Sequence, residues 1–124
     1  MSILYIALGG LAGTLARYGL EGWIHTRSGG AFPAGTLTVN LAGSLLLGFI
    51  LRIATGAALV SPELRGGLTI GFCGAFTTMS TFSYESMKLL ADGEYWYAGL
   101  YMGGTILGCL AAVMLGTALA NRLL

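Results

Sequence analysis

Charge is what this sequence has least of. Only 9% of its 124 residues are Asp, Glu, Lys or Arg, whereas soluble domains carry about a quarter, so no water-facing surface of ordinary extent can be built from it. No run of basic residues occurs and the formal net charge is +1, which excludes a polybasic surface for nucleic acid. Histidine occurs once, at His25, and cysteine twice, at Cys73 and Cys109, with neither CxxC nor a zinc-ligand spacing. Both cysteines fall within apolar stretches, where a free thiol packs as a small apolar group and implies no disulfide framework. There is no Ser/His/Asp set and no phosphate-binding loop, so the chain is read as non-enzymatic.

What is there is apolar. Hydrophobic residues make up 56% of the chain, and charge-free windows run over residues 1–16, 28–51, 66–84 and 95–121. About twenty apolar residues suffice for a spanning helix. The windows predict an all-α membrane protein with four transmembrane helices, over about 2–24, 35–53, 66–90 and 96–120, forming one membrane domain across residues 1–124. The first helix continues through Arg17 if that side chain snorkels or faces a watery cavity. It has neither the basic leading region nor the compact apolar core of a cleaved signal peptide. Gly29-Gly30, Pro33, Pro62 and Asp92-Gly93 punctuate the connections at about 25–34, 53–64 and 91–95.

Four spans put both termini and the second connection on one side, with Arg52, Arg65 and Arg122; Arg17, Arg27 and Lys88 belong to the other. Orientation normally follows an excess of Lys and Arg in cytoplasmic loops, and here there is none. The expectation is insertion in both orientations, with two antiparallel copies paired about a two-fold axis in the membrane plane. Glycines four apart, Gly9/Gly13, Gly67/Gly71, Gly99/Gly103 and Gly104/Gly108, supply material for close helix packing.

Polar residues at membrane depth fall into three groups. Thr36, Asn40 and Ser44 repeat at i, i+4, i+8 in the second helix, as do Tyr101, Thr105 and Cys109 in the fourth, so each helix carries one polar stripe. Serine and threonine can satisfy themselves on their own helix carbonyls. Asn40 cannot readily do so, and an unsatisfied polar group in hydrocarbon costs several kcal/mol; it requires a partner or a permeant ligand. The third group is "GFCGAFTTMSTFSYE", residues 71–85. Its glycines, threonines and serines weaken a helix and compete for backbone hydrogen bonds, which predicts a break near Gly74–Thr78.

Freed carbonyls at such a break coordinate alkali ions. Two antiparallel copies crossing there would form a four-oxygen cage without carboxylates, suited to a structural sodium ion rather than to calcium or magnesium. Hydroxyls, the Asn amide and the positive ring edge of Phe82 point instead to a small anion along the polar stripes.

The blocks "GGLAGTLARY" (9–18), "GTLTVNLAGSLLLGF" (35–49) and "GFCGAFTTMSTFSYE" (71–85), in this order and with this four-helix length, resemble the CrcB/Fluc fluoride channels across essentially the whole chain. The resemblance implies a passive fluoride-selective channel in a prokaryotic plasma membrane that relieves fluoride toxicity. It implies an antiparallel dual-topology homodimer with two pores, and a central sodium ion, not transported, on the backbone carbonyls of Gly74 and Thr77. It further implies an anion pathway of Asn40, Ser80, Thr81, Phe82, Tyr101 and Thr105, with Arg17 at an aqueous vestibule. One position departs: the family's TTFSTF reads TTMSTF here, so Met79 replaces a phenylalanine, and a thioether offers no comparable ring edge. Two other readings are a small multidrug/proton antiporter of similar topology and a non-transporting membrane scaffold. The first requires a carboxylate at membrane depth in the first helix, and residues 1–16 contain no acid.

Overall fold

The computed structural model describes residues 2–56 and 60–124. Helix α1 (Ser2–Ser28) is followed by α2 (Ala34–Gly56), and the third rod is divided into α3 (residues 62–76) and α4 (Met79–Ala91) before α5 (Tyr95–Leu123). Three of these, α1, α2 and α5, are long and apolar enough to cross a bilayer. Their outer faces carry large exposed apolar side chains, among them Leu8, Leu15, Leu46, Leu107 and Met114, as expected where the surrounding solvent is lipid.

Chain breaks fall where the residues dictate them. Gly29 takes up φ +56° just past the end of α1, a conformation glycine enters at no steric cost. Pro33 precedes α2. At the start of α3 the Ser61 hydroxyl accepts from Leu64 N–H, with Pro62 in the first helical position. Gly93, at φ +77°, turns the chain from α4 into α5. The helices run a few residues beyond the expected spans: α1 continues to Ser28, with Thr26 and Ser28 donating back to the carbonyls of Gly22 and Ile24, at 2.8 and 2.7 Å. The connection expected over 53–64 includes residues 57–59, which lie outside the described residues.

Packing is organised as two helix pairs, α1 with α3 and α2 with α5, which form the two most extensive interfaces. Glycines set both. A Cβ at Gly9 would run into the carbonyl of Gly67 and one at Gly13 into that of Phe72, while a Cβ on Gly71 would lie 2.6 Å from Ile6 O. Gly48 meets the backbone of Val113 and Gly116 that of Leu45 in the same way. Such backbone approach maximises dispersion contact where no hydrophobic force acts between helices. Gly99, Gly103 and Gly104 behave differently, with open space where their side chains would be.

A feature with no sequence forecast lies within α3. After one α turn (Pro62–Gly66), residues Gly67–Cys73 adopt π-helical pairing before a last α turn, Gly74–Phe76; Gly74 N–H still reaches back to Thr69 O. The widened segment is the part of α3 that packs on the α1 glycines. Single-turn π insertions often mark functional sites.

Candidate functional site

The expected break is present. Thr77 (φ −92°, ψ 160°) and Thr78 (φ −151°, ψ 121°) are extended between α3 and α4, and ordinary extended geometry of this kind carries no backbone strain. Two hydrogen bonds from α2 hold it open: Thr78 N–H donates to Asn40 Oδ1 at 2.8 Å, and Asn40 Nδ2 donates to Thr78 O at 3.2 Å. The partner that buried Asn40 requires is therefore main chain, and one amide hydrogen of Asn40 remains uncommitted.

These bonds redirect the donors of the interrupted helix. Uninterrupted, Thr78 N–H would pair with Gly74 O and Thr81 N–H with Thr77 O. Instead Thr78 N–H goes to Asn40, and Thr81 N–H donates to the Thr78 hydroxyl at 3.2 Å, capping α4. Gly74 and Thr77 thus lose the N–H groups that would occupy their carbonyls. Ala75 O accepts from Arg17 Nε at 3.1 Å, so Arg17 lies against the break, and its terminal guanidinium nitrogens make no hydrogen bond among the described residues. The Thr77 hydroxyl is spent on Cys73 O at 2.9 Å.

The two polar stripes converge on cavities. A cavity of about 350 Å³ is lined by Asn40 and Ser44 of α2, Thr105 and Cys109 of α5, and Thr78, Met79 and Phe82 at the break. A larger one, about 770 Å³, is lined by Glu21, Thr36, Thr81, Tyr84, Glu85 and Lys88 among others. Thr36 and Asn40 are one turn apart on α2, and Phe82 and Glu85 one turn apart on α4, so the two cavities are lined from successive turns of the same helices. Phe82 and Tyr101 pack with ring centroids 5.2 Å apart, tilted by 46°.

Burial separates the candidate residues into kinds. Asn40, Phe82, Tyr101 and Thr105 are buried, Tyr101 completely, whereas Met79 is 72% exposed. Ser80 is exposed and Thr81 half-buried; Ser80 Oγ is 3.4 Å from the Thr78 hydroxyl. The Thr105 hydroxyl is buried without a hydrogen-bond partner among the described residues, as is Oε1 of Glu21. Tyr101 Oη donates to Glu85 Oε1 at 2.9 Å. No periodicity relates Glu85 to Tyr101, and no sequence signal would have paired them.

Comparison with known proteins gives this arrangement a relation. Residues 4–117 match the family model described as CrcB-like protein, Camphor Resistance (CrcB). The chain is 48% identical to a protein of Geobacter metallireducens, with 99% of each chain covered. It is 47% identical to one of Geotalea uraniireducens, with 98% of each covered, and 49% identical to one of Chlorobaculum tepidum, covering 97% of this chain and 94% of the other. All three relatives are named fluoride-specific ion channel FluC. A helix broken at mid-length, clamped by an asparagine and flanked by two polar stripes, thus accompanies similarity over nearly every residue: the chain belongs to the CrcB-like family.

Proposed function

We propose that this chain is a passive fluoride-selective channel of a bacterial plasma membrane, letting cytoplasmic fluoride leave and so limiting its toxicity. The observation that carries the reading is near-full-length similarity to proteins named fluoride-specific ion channels. The chain crosses the membrane four times as one domain, 1–124, its third crossing being the broken rod α3–α4. It works as an antiparallel homodimer with two pores.

The chemistry suits a small, strongly hydrated anion. Dehydrating a bare ion costs tens of kcal/mol by the Born estimate, so several donors must replace the lost water. Asn40 offers its free amide hydrogen, fixed in direction by the two bonds to Thr78. Thr105 offers a buried hydroxyl with no partner among the described residues, and Ser80 and Thr81 add hydroxyls from the first turn of α4. Phe82 presents a ring edge of positive quadrupolar potential. Tyr101 contributes through its ring, which backs Phe82, and through the hydroxyl it shares with Glu85. Met79, where the family has phenylalanine, fills volume without supplying a ring edge. Arg17 raises the local anion concentration through its guanidinium charge.

A structural sodium ion is assigned to the carbonyls of Gly74 and Thr77, with the same pair from the second copy. The diverted donors of Thr78 and Thr81 support the fit, because both carbonyls lack their helical partners. Bound there, sodium would supply a fixed positive charge that ties the two breaks together.

The deciding measurement is fluoride efflux from liposomes containing purified protein, with chloride as control. Fluoride flux far above empty vesicles, and little chloride flux, is expected. Folded, dimeric protein that releases no fluoride would refute the reading.

A further inference from the structure

One ring in the aromatic cluster around the groove belongs to no helix. Phe82, Leu89, Ala98 and Tyr101 form the buried cluster, with Phe32, Leu37 and Met102 packed against it. Of these only Phe32 comes from a connection, residues 29–33 between α1 and α2.

Its path is constrained by its neighbours. Gly29 turns the chain with positive φ, Pro33 restricts the residue before it to extended conformations, and the Phe32 carbonyl accepts from Ala34 N–H at 2.8 Å. The side chain thereby meets Tyr101 with centroids 5.8 Å apart at 85°, and Tyr97 at 5.8 Å and 78°. Both are edge-to-face arrangements, the favoured geometry of ring pairs.

Tyr101 is held at three points: by the Phe32 ring, by Phe82 at 5.2 Å, and by its hydroxyl on Glu85. Leu37 and Met102 complete its burial as aliphatic neighbours without a ring. The neighbouring small positions of α5, Gly99, Gly103 and Gly104, meet nothing, and α4 makes only a slight interface with α5. Of the two rings that meet Tyr101, Phe32 is the one that does not come from α4, the element the tyrosine is meant to orient.

We propose that Phe32 is a positioning residue of the anion path, acting through Tyr101. Its ring fixes the tilt of Tyr101, and with it the pose of the Phe82 edge and of the Tyr101–Glu85 hydrogen bond. The proposal rests on the channel reading above. Phe32 itself does not touch the anion.

The test uses the full chain in liposomes, with wild type as reference, and 19F NMR of 3-fluorotyrosine placed at position 101. Loss of one edge-to-face pair should lower fluoride flux about fivefold in Phe32→Ala and shift or broaden the label's resonance. Phe32→Trp, which restores a ring edge, should recover flux to within about twofold of wild type. If the alanine variant fails to fold, Phe32→Leu keeps the bulk without the edge and should show the same losses. Unchanged flux in a folded variant, or reduced flux with an unaltered label resonance, would overturn the proposal. A wild-type protein without fluoride flux would instead defeat the channel reading, while the resonance would still report whether Phe32 orients Tyr101.

Discussion

Asn40 binds both main-chain groups of Thr78, accepting from its N–H at 2.8 Å and donating to its carbonyl at 3.2 Å. One side chain from α2 thus takes over the pairing that a continuous helix would have provided. The interruption between α3 and α4 is consequently a satisfied structure rather than a frayed one, and it persists without strain in the backbone.

Removing that clamp should be costly. In Asn40→Leu, Thr78 N–H loses its partner, at about 1–3 kcal/mol, while Thr78 O keeps its bond in the first turn of α4. Thermal unfolding in detergent should fall by several degrees and fluoride flux should be lost. Asn40→Asp keeps the acceptor for Thr78 N–H but loses the donor, so it should retain more stability than the leucine variant while conducting poorly. Equal stability of wild type and Asn40→Leu would count against the clamp.

The glycines divide into two testable classes. Gly13→Ala drives a Cβ into the Phe72 carbonyl, and overpacking of this kind costs about 1–3 kcal/mol; a lowered unfolding midpoint should show it. Gly99→Ala and Gly103→Ala meet nothing within the chain and should leave its own fold unharmed. If they weaken dimerisation in a dilution assay, the α5 face is where the second copy packs.

The unequal burial of Phe82 and Met79 predicts unequal consequences. Phe82→Ile removes a ring edge from the groove and should cut fluoride flux strongly, whereas Met79→Phe should retain it. Liposome efflux of the two variants, measured side by side, checks this, and similar behaviour would remove Phe82 from the list of anion contacts.

Sodium is the fourth point of attack. Replacing it with a large organic cation throughout purification and assay should weaken the dimer or silence the channel, and restoring sodium should reverse the effect. Indifference to the exchange would leave the carbonyls of Gly74 and Thr77 without the proposed ligand.

Much of this architecture was legible in the chain. The long charge-free windows marked α1, α2 and α5 because a bilayer tolerates few charges, and the glycine and hydroxyl content of residues 71–85 marked the interruption because such residues compete with helical pairing. Helix ends were less legible: Thr26 and Ser28 are polar, yet both lie within α1 and satisfy their hydroxyls on its own carbonyls. The π-helical stretch was invisible because no local residue pattern marks it; it is the segment that packs on Gly9 and Gly13 of a different helix. Asn40 announced its need for a partner, but not that the partner would be Thr78. The Tyr101–Glu85 bond and the intrusion of Phe32 are purely matters of tertiary arrangement, with no periodicity to betray them.

The extended pair Thr77–Thr78 also limits how such a protein can diverge. The same extended pair takes away the donors that would occupy the carbonyls of Gly74 and Thr77 and starts α4, the helix that carries Ser80, Thr81 and Phe82. A substitution in that pair would be felt by both features at once, so neither can drift independently. Retuning the pore, by selection or by an engineer, is therefore open mainly from α2 and α5, where Ser44, Thr105 and Cys109 line the groove and can be exchanged one at a time.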